Sequence, residues 1–164
     1  MSGLERLVRF IFGLVCALLL QLLPLPWSIA PLRPMWLPLV LVGTALADVE
    51  MPVLLGAFLG GLASDLLLGV PLGEHALALV GLVYLIQRLR SSLIVLPLWQ
   101  ATMVLVPVWA LYAFALFWLD GVEHHPADTL LRWMPVASTT AAWPFLAIVF
   151  GSRALRLRRR GELH

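Results

Sequence analysis

Residues 52–79 read PVLLGAFLGGLASDLLLGVPLGEHALAL. The stretch is apolar and of membrane-crossing length, with glycines at Gly56, Gly60, Gly61, Gly69 and Gly73 and a carboxylate, Asp65, near its middle. A carboxylate within a membrane span costs about 2.5 to 3.5 kcal/mol on insertion scales, so it faces protein or a water-filled cavity. Asp65 therefore needs a partner inside the fold.

The rest of the chain has the same character. It is 62% hydrophobic and 12% charged, with seven tryptophans in 164 residues, which places it among integral membrane proteins. A helical span takes about 20 residues, so six spans leave only short loops and tails. That excludes a separate nucleotide-binding or catalytic domain, and nothing points to nucleic acid as a partner. Cys16 stands alone within the first apolar run, so no intrachain disulfide is possible.

The apolar runs predict an all-α, polytopic membrane domain with spans near 7–24, 35–48, 52–69, 74–89, 95–119 and 132–151 and a basic tail over 153–164. The first run, preceded by Arg6 and Arg9, could be a signal peptide ending at Ser28-Ile29-Ala30. Pro31 directly after that site is a poor cleavage context, and a retained first span is the better reading. The second run is short and contains Pro38, which by length alone would permit a re-entrant segment.

Arginine placement decides between these topologies. Six spans with the N-terminus inside put Arg6, Arg9, Arg88, Arg90, Arg153, Arg156, Arg158, Arg159 and Arg160 on the cytoplasmic side and leave Arg33 and Arg132 outside. If the second run did not cross, only Arg6, Arg9 and Arg132 would be inside. The positive-inside rule prefers six spans with both termini cytoplasmic.

Gly56 and Gly60 form a G-x-x-x-G pair that Ser64 continues at i+8, giving a smooth face for close helix approach. It is the candidate contact for a partner helix, although packing within the chain would use it equally well. Asp65 is read as a structural polar anchor, helped by Ser64, Gln87 or Thr102. Glu74 and His75 are polar residues at a helix start, with a possible ligand or pH-sensing role. Glu123, His124, His125 and Asp128 have zinc-ligand chemistry, but they crowd one short loop with no matching motif elsewhere, so a solvated loop is expected and no metal. Trp99, Trp109, Trp118, Trp133 and Trp143 are expected to serve in interfacial anchoring and packing. The terminal arginines read as a topology anchor and anionic-lipid contact. No G-x-S-x-G, H-E-x-x-H or phosphate loop occurs, and no spaced carboxylate pair lies within the spans. No enzyme and no cofactor are expected.

Several local patterns coincide with one family. Pro31-Leu32-Arg33-Pro34-Met35-Trp36-Leu37, then Gly56 through Asp65 to Gly69, Leu72-Gly73-Glu74-His75-Ala76-Leu77-Ala78, and Tyr84-Leu85 stand in matching order and spacing. Pro97-Leu98-Trp99-Gln100 and Trp143-Pro144 ahead of the arginine cluster extend the match over nearly the whole chain. In these features the sequence resembles the MreD rod shape-determining family. Two departures are Met35, where the family commonly has Asp or Asn, and Ala101 after Gln100 in place of a second glutamine.

The resemblance implies a bacterial inner-membrane component of the peptidoglycan elongation machinery. It would act as a non-enzymatic scaffold binding MreC directly, with MreB, RodA and its transpeptidase partner further out. A competing reading is a small-molecule-binding membrane protein, since six helices with a glycine-rich third span resemble the substrate-binding components of energy-coupling-factor vitamin transporters. Asp65 and Glu74 would then line a cavity open to the outside. An intramembrane enzyme or flippase would need a hydrophilic path that these residues barely furnish.

Overall fold

A computed structural model describes residues 3–24, 26, 30–48, 51–121 and 133–161, with backbone alone at 120–121 and 150–161. Ser28 and Ile29 of the possible cleavage site, Glu123, His124, His125 and Asp128 of the polar loop, and Arg132 lie outside the described residues.

The described residues form six α-helices and no strand: α1 (Gly3–Leu22), α2 (Trp36–Ala47), α3 (Val53–Leu68), α4 (Glu74–Leu93), α5 (Leu98–Gly121) and α6 (Met134–Gly161), with a 3-10 turn, Ala30–Leu32, before α2. Three segments are long and apolar enough to cross a membrane: Ala30–Ala47, Glu74–Leu93 and Leu98–Leu119. Val53–Leu68 and Met134–Val149 are apolar but shorter, and α1 carries Glu5, Arg6 and Arg9 in its first two turns. The backbone of α6 stays helical through the arginine-rich residues 153–160.

Local chemistry sets the breaks. Gly69 ends α3 at φ 68°, and Gly73 opens α4 at φ 106°. Both angles are left-handed and strained for residues with a Cβ. Pro71 lies between them and Pro97 precedes α5, where a proline suits a helix start.

The sequence of α2, WLPLVLVGTALA, is apolar all round, as befits a buried helix. It packs against α1, α3, α4 and α6, and Leu37, Leu39, Leu41 and Val42 are fully buried or nearly so. The α3–α4 hairpin is the most extensive helix pair, and α5 lies against α4 and α6. Trp109 and Trp143 do not serve at the interface: both are buried, with ring centroids 6.1 Å apart and tilted by 57°. Trp99, Trp118 and Trp133 are exposed.

Helix ends are satisfied largely by side chains of other elements. The Arg33 guanidinium donates to the carbonyls of Gln21 and Leu23, closing α1. Arg90 of α4 donates to Ala45 O and Leu46 O at the end of α2, both at 3.1 Å. Arg6 of α1 pairs with Asp48 at that same end, 3.4 Å away. Cations there complement the partial negative charge of the helix C-terminus. At the other end of α2 the Met35 N–H donates to Thr139 Oγ1 of α6 at 2.9 Å. Met35 has no side-chain cap of its own, and the Thr139 hydroxyl instead satisfies the amide of the N-cap residue itself. These links set the start of α1 beside the ends of α2 and α4, so the first four helices alternate in direction.

Candidate functional site

The site is built where α3 and α4 meet. A methyl group at Gly61 would fall 2.2 Å from Ala76 Cα and 2.5 Å from Ala76 N, so the two backbones touch there. Asp65 stands one turn further along the same face of α3, which carries its carboxyl over the start of α4. That carboxyl is fully buried. It accepts the N–H of Gly73 at 2.8 Å and that of His75 at 2.9 Å, while His75 Nδ1 lies 2.9 Å from Oδ1. With Nδ1 protonated, the imidazole is a third donor.

Gly73, the N-cap residue of α4, has no side chain to cap with. Asp65 therefore supplies from α3 the acceptor that a Ser or Asp would ordinarily provide locally, and an anionic oxygen suits the positive end of the α4 dipole. The backbone carbonyl of Asp65 also closes its own helix, receiving the N–H groups of Gly69 and Val70. One residue thus ends α3 and begins α4. Glu74 and Tyr112 are buried beside this clasp, and Tyr112 of α5 lies within electrostatic range of both Asp65 and Glu74.

The expected helpers of Asp65 are elsewhere. Ser64 Oγ donates to Gly60 O at 3.0 Å and Thr102 Oγ1 to Leu98 O at 2.8 Å, each within its own helix, and Gln87 is exposed. His75 and two backbone amides take that role. The Gly56, Gly60, Ser64 face is covered from within the chain. A methyl at Gly56 would fall 2.3 Å from Phe10 Cζ, and one at Gly60 would meet Leu37 and Leu14 at 3.5 to 3.7 Å. The face therefore receives α1 and α2, and a partner helix would have to displace Phe10 to reach it.

The motif residues divide by role. Arg33 closes α1, Gly69 and Gly73 shape the turn under Asp65, and Trp143 packs on Trp109. Pro34 and Trp36 are half-buried at the start of α2, and Pro144 lies inside α6. Trp99 is exposed and Gln100 half-buried in the first turn of α5. Among the described residues no three His, Cys, Asp or Glu side chains cluster as metal ligands.

Sequence reasoning missed the Gly61 contact and the pairing of Asp65 with His75. The signals were present: Gly61 and Asp65 are four apart, hence on one helix face, and Gly73 and His75 follow Asp65 by eight and ten residues across a glycine-flanked turn. The Arg33 and Thr139 contacts join distant segments and leave no local signal.

Apolar helices, a sealed core and a buried polar clasp define an integral membrane helix bundle. Residues 3–152 match the family model described as rod shape-determining protein MreD. The rod shape-determining protein MreD of Haemophilus influenzae is 30% identical over 153 residues, covering 92% of this chain and 90% of that protein. The chain belongs to the MreD family, and its role lies in determining cell shape. No solved structure matches it.

Proposed function

We propose that this chain is a non-enzymatic scaffold of the peptidoglycan elongation complex in the bacterial inner membrane, crossing six times with both termini cytoplasmic and holding MreC. Through MreC it sits near MreB, RodA and the transpeptidase partner of RodA. One observation carries the reading: Asp65, the polar group buried deepest in the hairpin, has its carboxyl oxygens engaged in holding α4 to α3. A fully buried group so engaged fixes helices in place. Arg33 and Arg90 do similar work at other helix ends.

The six-crossing arrangement draws support from charge: Arg6 and Arg90 meet the C-terminal end of α2 at one end of the bundle, while Asp65 lies near the far end of α3 and Arg33 just before the start of α2. The vitamin-transporter reading lacks such support, because Asp65 is sealed and neither it nor Glu74 lines the groove between α4 and α5.

Affinity purification of the full chain from its native membrane tests the proposal. Recovery of MreC in near-stoichiometric amount is the expected result. Recovery without MreC, or thermal stabilisation by a vitamin or cell-wall precursor, would overturn it.

A further inference from the structure

The faces that the bundle turns outward differ in length. Every exposed residue of α3 is leucine or phenylalanine, Leu55, Phe58, Leu59 and Leu66 among them. Surfaces where membrane helices meet are enriched in small and polar side chains, and this one has neither. The exposed residues of α1 from Ile11 to Leu22 are likewise isoleucine, phenylalanine, valine and leucine. Such a surface suits acyl chains.

The helix ends limit how thick the hydrocarbon beside that surface can be. Backbone that has left the helix cannot face hydrocarbon, because its N–H and C=O groups find no partner in lipid. Helix α3 has 16 residues, about 24 Å at 1.5 Å per residue. Before it come Pro52 and the carboxylate of Asp48, which is paired with Arg6, and after it the exposed Pro71 and Leu72 of the turn that Gly69 and Gly73 shape. Helix α1, packed against α3, allows no more: from Phe10, next to the exposed Arg9, to its end at Leu22 is about 20 Å. A bilayer core is about 30 Å thick. A helix too long for its membrane can tilt, but one too short gains nothing by tilting, so the bilayer beside it thins.

Helix α5 is different. It packs on α4 and α6, and its apolar segment Leu98–Leu119 has 22 residues, about 33 Å. Trp99 and Trp118, both exposed, stand near its two ends, about 28 Å apart along the axis, the spacing of tryptophans seated at the two surfaces of a membrane. One side of the bundle is thus built for a bilayer of ordinary thickness and the other for one about 6 Å thinner.

We infer that the outward surface of α1 and α3 binds a locally thinned bilayer, about 24 Å across its hydrocarbon, and selects short acyl chains over long ones. The bilayer returns to ordinary thickness around the perimeter between α3 and α5. The inference rests on the six-crossing reading and does not depend on MreC.

The test places a fluorophore on each side of the full chain, attached at Phe58→Cys on α3 or Phe114→Cys on α5, with Cys16→Ser in both. Both positions are exposed, so the variants should melt with Cys16→Ser alone. Each is reconstituted in vesicles holding a nitroxide-labelled phosphatidylcholine, which quenches the fluorophore, and an unlabelled monounsaturated phosphatidylcholine that competes with it. At Phe58→Cys, chains of about 14 to 16 carbons are expected to displace the quencher about threefold or more better than chains of about 22 carbons, and at Phe114→Cys the order is flat or reversed. A preference at Phe58→Cys for chains of about 18 carbons or more, or the same order at both positions, would overturn the inference. So would a Phe58→Cys label that the quencher never reaches, since a protein neighbour would then cover the face. Met51→Cys and Leu72→Cys, each with Cys16→Ser, check the crossing itself: an impermeant thiol reagent should reach them from opposite sides of the membrane. Labelling of both from one side would overturn the six-crossing reading and the inference with it, whereas a failed chain-length preference alone leaves that reading standing.

Discussion

Replacing Gly61 by alanine should be far more damaging than the same change at Gly60 next to it. The new methyl at Gly61 would lie 2.2 Å from Ala76 Cα, and this neighbour is backbone that cannot rotate away. Bringing that distance to an ordinary 3.4 Å requires α3 and α4 to separate by about 1.2 Å, and overpacking of this kind costs about 1–3 kcal/mol. The clasp lies one turn away, so the 2.8 and 2.9 Å bonds from Gly73 and His75 to Asp65 would lengthen to about 4 Å and cease to be hydrogen bonds. Each buried N–H left without a partner costs about 1–3 kcal/mol more, against a gain of about 1 kcal/mol from exchanging glycine for alanine in a helix. With two such N–H groups, these terms put the net destabilisation at about 2–8 kcal/mol.

Gly60→Ala meets Leu37 at 3.5 Å, ordinary contact, and should change stability by no more than about 1 kcal/mol in either direction. Gly56→Ala meets the movable tip of Phe10 at 2.3 Å and falls between, at about 1–2 kcal/mol. Unfolding in mixed micelles by SDS titration, followed by tryptophan fluorescence, ranks the three. A Gly61→Ala variant no less stable than Gly60→Ala would refute the close-contact argument. Gly61→Ala and Asp65→Ala should also couple by about 1–3 kcal/mol, because both remove the same bonds.

At the clasp itself, Asp65→Ala should cost about 2–5 kcal/mol by stranding two buried amides, while His75→Ala, which leaves both amide bonds in place, should cost less than half of that in the same titration. Thr139→Val preserves shape but removes the acceptor of the Met35 N–H, and a loss of about 1–3 kcal/mol is expected, with Thr139→Ser restoring most of it. Arg33→Lys should not substitute for the native arginine: a single ammonium cannot span the Gln21 and Leu23 carbonyls as a guanidinium fork does, and a melting temperature below that of wild type is the expected result.

The helical class, the number of helices and the break at Gly69–Gly73 were legible in apolar runs and glycine placement, because those signals are local. The demand that Asp65 have a partner was legible too, from the energetics of a buried charge. What was not legible was the identity of that partner, since it depends on a turn folding α4 back so that its first amides meet the carboxyl. What the glycine face packs against was not legible for a related reason. Gly56 and Gly60 announce a smooth surface, but a smooth surface is equally suited to this chain's own α1, and only the placement of Phe10 and Leu14 decides the matter. Trp109 and Trp143 were likewise indistinguishable by composition from the exposed tryptophans around them.

The exchange of caps between helices bears on how the chain is made. The carbonyls of Ala45 and Leu46 at the end of α2 receive Arg90, which lies 44 or 45 residues downstream, so while synthesis proceeds those groups must rely on water until α4 arrives. Thr139 reaches the Met35 amide across 104 residues, which postpones the other end of α2 until almost the whole chain has been inserted. The central helix is therefore the last to be completed although it is among the first to be synthesised, and a protein stalled before α6 offers the membrane's quality-control proteases an unfinished α2 at its centre.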